Sequence, residues 1–115
     1  MNILKTSKEL SAREVYNLTM NPETRKMKDF VGSEIEIAAW AIYEDVDKKT
    51  GEVHNILSIL TPDGEVIGTN SATFMDELER MTELFSQYGE EVHAVEVIGG
   101  KSKNDRDYIT CKYSR

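Results

Sequence analysis

The chain has 115 residues, 39 % apolar and 30 % charged, with a formal net charge of −7. This is the composition of one globular domain with a small core, and it excludes a disordered chain. No apolar run approaches the roughly 20 residues that a bilayer-spanning helix needs.

The single cysteine, Cys111, rules out an internal disulfide and a zinc site built from thiolates. Its alternating context suggests a buried, inert thiol, with a catalytic cysteine as the sharper alternative. Met1 to Glu9 carries lysines but lacks the apolar stretch of a signal peptide. A cytoplasmic location without membrane contact is therefore expected. Nine acids and one base, Arg80, fall between Asp63 and Glu96, while the rest of the chain holds thirteen bases and twelve acids. The negative charge is thus concentrated, which leaves room for a local positive surface elsewhere.

In chain order, the first ten residues read as an arm. Ser11 with Glu14 makes a capping box for a short helix through Val15, Tyr16 and Leu18. Asn21-Pro22 is a second start signal, predicting a helical turn through Arg25, Lys26 and Met27 that stops before Gly32. From Glu34 to Val46 the period becomes two, predicting one long strand. Ile35, Ile37, Ala39 and Ala41 lie on one face and Glu34, Glu36, Ala38, Trp40 and Ile42 on the other. A turn at Asp47 to Gly51 leads to a strand from Val53 to Thr61. Pro62-Asp63-Gly64 then precedes a short strand from Glu65 to Thr69. Phe74, Leu78, Met81, Leu84, Phe85 and Tyr88 repeat at helical spacing, with Ser71 or Thr73 as cap and Gly89 as stop. Strands from Val92 to Ile98 and from Tyr108 to Tyr113 flank a loop, Gly99 to Arg106.

The order β-β-β-α-β-β, behind a short helical N-terminal segment, matches a mainly β, OB-like five-stranded barrel. An open α+β sheet with the helix on one face shares this order. The expected organisation is one domain: residues 1–31 as an arm with short helices, and residues 32–115 as the OB-like part.

An OB barrel binds single strands with two of its loops and one strand face. Here those loops hold Lys48, Lys49, Lys101, Lys103 and Arg106, which would track phosphates; the alternative is ordinary solvated loops. Trp40 and Tyr108 would stack bases if Ile35, Ile37, Ala39 and Ala41, and Ile109 with Cys111, face the core. Alternatively, Trp40 packs under the N-terminal helices. Catalysis has little support. His54 and His93 begin no metal-spacing motif, Gly99-Gly100-Lys101 is too short for a phosphate loop, and Ser58 and Ser102 lack an elbow context. No cofactor, metal or enzymatic activity is expected.

Three stretches together resemble a known family. They are Leu18 to Asp29 (LTMNPETRKMKD), Ile56 to Gly64 (ILSILTPDG) with Gly68 to Phe74 (GTNSATF), and Gly100 to Lys103 (GKSK) with Tyr108 to Cys111 (YITC). The family is the small single-stranded DNA-binding proteins of tailed phages that infect Gram-positive bacteria. The resemblance implies an accessory protein of phage DNA replication or recombination that coats single strands. It also implies that the lysine-rich loop and the strand after it touch DNA. The basic C-terminus, Lys112 to Arg115, lacks the acidic tail through which cellular counterparts recruit partners. Homo-oligomers and replication or recombination proteins remain candidate partners. The competing expectation is an acidic inhibitor or adaptor. The carboxylates of its acidic helix segment, Asp76, Glu77, Glu79, Glu83, Glu90 and Glu91, would mimic nucleic acid toward a host protein.

Overall fold

A computed structural model describes residues 2–115. The elements in order are β1 (Asn2–Thr6), α1 (Ala12–Met20), β2 (Arg25–Lys26), a 3-10 turn (Met27–Phe30), β3 (Glu34–Glu36), β4 (Ala39–Val46), β5 (Val53–Leu60), β6 (Val66–Thr69), α2 (Ala72–Gln87), β7 (Ala94–Lys101) and β8 (Asp107–Tyr113). Two sheets form, one ordered β1-β4-β5-β6-β2 and the other β3-β7-β8. The fold is mainly β, and the β-β-β-α-β-β order is present in β4 to β8. The expected closed five-stranded barrel is not: the described strands form two separate sheets.

The expected long strand from Glu34 to Val46 is two strands in different sheets. Its alternation is continuous, but its hydrogen-bond partners change. The N–H of Ile37 donates to the carbonyl of His93 at 2.8 Å, and that of Ala38 to the carbonyl of Leu60 at 2.8 Å. At this corner the chain leaves β7 and joins β5, and both of these backbone donors keep a partner.

The N-terminal segment is more than an arm. β1 pairs antiparallel with β4, and β2 pairs parallel with β6, so this segment supplies both edges of the larger sheet. The Ser11–Glu14 capping box forms as read. Asn21 does not start a helix. It ends α1 in an extended conformation, as a residue before proline prefers. Its side-chain oxygen accepts from the Glu23 N–H at 2.9 Å, and its carbonyl accepts from the Thr24 hydroxyl at 2.7 Å. This turn sends Arg25 and Lys26 into the sheet and delays the helical turn to Met27.

Both faces of the larger sheet are covered near β4. Trp40, Ile42, Leu57, Ile59 and Ile67 meet Phe74, Met75, Leu78 and Met81 of α2 and Val95, Val97 and Cys111 of the smaller sheet. On the other face, Ala39 and Ala41 take Leu18 of α1, with Leu10 and Leu60 beside it. The alanines are small because a helix lies on them. The large residues of the same strand face the main core.

α2 is capped by Ser71, whose hydroxyl accepts from the Phe74 N–H at 3.2 Å. It ends at Gly89, whose φ of 70° lets the chain reverse without a Cβ penalty.

A candidate nucleic-acid interface

Beyond the end of α1, the alanine face of the sheet opens into a groove of about 820 Å³. Its floor is Tyr43 of β4, Ile56 and Ser58 of β5 and Gly68 of β6, which adjoin through the register Tyr43↔Ile56 and Ser58↔Gly68. One wall is the Asn21 turn with Arg25, Lys26 and Lys28; the other is Asp107, Tyr108 and Ile109 of β8, so one carboxylate faces the three cations across the groove.

Gly68 sits close under the wall. A Cβ on Gly68 would stand 3.3 Å from the Thr24 methyl and 3.4 Å from the Ser58 hydroxyl, closing the floor against the wall. Tyr43 is half-buried. Burial pushes its phenol up; the neighbouring Ser58 hydroxyl partly offsets this, and the Asp45 carboxylate adds to it. The phenol therefore stays neutral at physiological pH. Ser58 Oγ, fully buried, closes no hydrogen bond of normal geometry.

Three cations line the wall, in different states. Arg25 lies over the Phe30 ring, 4.6 Å from its centroid, and reaches Glu65 at 3.4 Å. Lys26 and Lys28 are exposed and form no ion pair among the described residues. From the sequence alone, these three cations have no site role. The signal was there in Arg25-Lys26 and Lys28, but the helix expected over them gave no reason to aim them at a sheet face.

Tyr108 meets the expectation of an outward aromatic: it is 41 % exposed and lines the groove. Its position depends on the strand opposite. In the register Gly100↔Tyr108, a Cβ on Gly100 would stand 2.7 Å from the Tyr108 ring. The ring thus lies across the bare glycine, one side packed and the other free.

Trp40 requires a correction. It is only 4 % exposed and belongs to the main core, so it cannot present a ring face to a base. The two faces of β4 are exchanged relative to the expectation. The alanine face carries α1, and Trp40 packs toward α2, not under the N-terminal helices.

The loop cations are all exposed but not equivalent. Lys48 and Lys49 sit in the β4–β5 turn, where Asp47 accepts from the Lys49 N–H at 2.8 Å. Lys101 ends β7 and is held by Asp105 at 3.4 Å. Lys103 and Arg106, in the β7–β8 loop, pair with no carboxylate among the described residues. None of these five lines the groove; they stand at the ends of the hairpins that border it.

Cys111 is buried, and burial, helped by the Glu77 charge, pushes its thiol up to about 12. No group of three or more potential metal ligands occurs among the described residues.

No curated protein and no solved structure matches the chain. A family model does, over residues 2–114: that of Phage Single-stranded DNA-binding protein. The match takes in the groove floor and both of its walls, and by it the chain belongs to the phage single-stranded DNA-binding protein family.

Proposed function

We propose that the Tyr43–Ser58–Gly68 groove is where this chain holds single-stranded DNA, with little sequence preference. The observation that carries this reading is the meeting of an aromatic-bearing sheet floor with unpaired lysines on one wall and Tyr108 on the other. Single strands bind through stacking on rings and phosphate contacts along a positive track. Tyr108, and Tyr43 at the groove floor, are the stacking residues. Lys26 and Lys28 contact phosphates within the groove. Lys48, Lys49, Lys101, Lys103 and Arg106 extend the track along the hairpin ends. The protein coats strands exposed during phage DNA replication or recombination, in the cytoplasm of the infected cell.

The test is fluorescence anisotropy of a labelled oligothymidine at several salt concentrations. Tyr108→Ala should weaken binding by about 1–3 kcal/mol, the range for one stacked base. Lys26→Ala with Lys28→Ala should lower the slope of log K against log salt by about 1.4, the value for two lost phosphate contacts. Unchanged affinity and slope in both variants would place the DNA elsewhere.

A further inference from the structure

A second groove, of about 630 Å³, lies on the Trp40 face of the sheet, between the chain linking β1 to α1 and the C-terminal half of α2. Because successive strand residues point to opposite faces, it opens away from the Tyr43 groove. Glu79, Glu83, Glu90 and Glu91 border it. The two lysines at its rim are already engaged, Lys5 by Glu79 at 3.1 Å and Lys8 by Glu14 at 3.1 Å. Glu83, Glu90 and Glu91 form no ion pair among the described residues.

The floor carries a second, independent signal. Trp40 lines it, is 4 % exposed, and its indole N–H donates to no group among the described residues. Buried indole N–H groups ordinarily find an acceptor. Ser58 Oγ alone among the described residues is both sealed from solvent and unpaired. The equally unpaired indole nitrogen is therefore not sealed, and the groove is the space that Trp40 borders. Ile37 and Val92 add apolar surface. The site offers the Trp40 donor at its floor, mixed walls in which Ile37 and Val92 stand beside Thr82, Ser86, Gln87 and His93, and a rim of free carboxylates.

We propose that this groove docks a short lysine- or arginine-bearing segment of a partner protein. A backbone carbonyl of the segment accepts from Trp40, and its cationic heads meet Glu83, Glu90 and Glu91. Phosphates are repelled by the same rim, so the occupant is peptide, not nucleic acid. A partner held here leaves the opposite face of the sheet free.

Trp40 is the only tryptophan of the chain, so its emission reports directly on the floor. The probe is acetyl-Leu-Lys-Leu-Lys-Leu-amide, with acetyl-Leu-Glu-Leu-Glu-Leu-amide as control. The expected result is a saturable change in Trp40 emission with the lysine peptide alone. Its affinity should fall about tenfold in Glu83→Gln/Glu90→Gln/Glu91→Gln, the summed effect of three partly exposed charge pairs. Trp40→Phe, which keeps an aromatic ring and removes the donor, should weaken a labelled lysine peptide followed by anisotropy. Oligothymidine binding at about 0.15 M salt, where the Debye length is about 8 Å, should be unchanged in the triple variant, which also reports its folding. Several results would overturn the proposal: no saturable signal, an equal response to the glutamate peptide, full affinity in the triple variant, or displacement of the peptide by oligothymidine. A response to magnesium alone without one to the peptide would make the rim a cation site and would also overturn it.

Discussion

At the scale of single residues, two positions yield direct predictions. Gly100 matters because the Tyr108 ring lies across it. In Gly100→Ala the new methyl meets only the far end of a side chain that can swing away. The β7–β8 hairpin should therefore survive with little loss of stability, while oligothymidine affinity falls toward that of Tyr108→Ala. Denaturant unfolding and anisotropy on the same sample separate the two effects; equal affinity to the parent would show that the ring's placement is not used.

Cys111 is the second. Burial holds its thiol protonated, with a pKa near 12 against an ordinary value of 9.0. The folded state thus keeps a proton that the unfolded state releases. The corresponding stability is present below pH 9.0 and is lost as pH rises from there toward about 12. Cys111→Ala should flatten that part of the stability curve. In the native protein at pH 8, the thiol should react with an aromatic disulfide reagent far more slowly than after unfolding.

At the scale of elements, α1 depends on one side chain. Leu18 is its only buried residue, seated on Ala39 and Ala41. Leu18→Ala should cost about 2–5 kcal/mol, as for other buried leucines, read as a lower urea midpoint. It should also weaken DNA binding, because α1 runs straight into the Asn21 turn that carries the Lys26 wall. Restoring the helix by a better cap would not rescue this, since Ser11 already caps it. The carboxylate of Glu34 on β3 is held below its ordinary value by hydrogen bonds from Arg115 and then Ser114. That clasp is present above the ordinary carboxylate range and loosens as pH falls through the depressed value.

Element types were legible wherever local chemistry decided them. Ser11 with Glu14 placed the start of α1, and the spacing of Phe74, Leu78 and Met81 placed α2. The turn glycines Gly51 and Gly64, both at positive φ, placed the ends of β4, β5 and β6. What failed was whatever needed a partner strand. β1, an exposed five-residue run, and β2, only Arg25 and Lys26, carry no alternating pattern; they are strands because β4 and β6 offer free edges to pair with.

At the scale of the whole molecule, the net charge of −7 and the binding of a polyanion are reconciled by distance. The structure is 42 × 41 × 25 Å, with Glu79, Glu83, Glu90 and Glu91 on the face away from the Tyr43 groove. Charges on opposite faces of a body at least 25 Å thick are screened from each other at about 0.15 M salt, where the Debye length is about 8 Å, and felt at about 0.01 M, where it is about 30 Å. Glu83→Gln/Glu90→Gln/Glu91→Gln should therefore raise oligothymidine affinity at the lower salt and leave it unchanged at the higher. A gain that persists at high salt would mean the carboxylates lie beside the DNA.

The amino-acid sequence by itself determined the class of the protein, the concentration of its acid in one stretch, the two helices and the outward ring of Tyr108. Each of these rests on composition or on neighbours within a few residues. The tertiary structure alone decided that β3 and β4 part into two sheets and that the described strands close no barrel. It also decided that Lys26 and Lys28 face a sheet floor, and that Trp40 turns inward while Ala39 and Ala41 take a helix. Alternation shows that a strand has two faces, but which face is core depends on what packs there. For β4 both faces are covered, so only the docking of α1 and α2 could say which side takes the small residues and which the large.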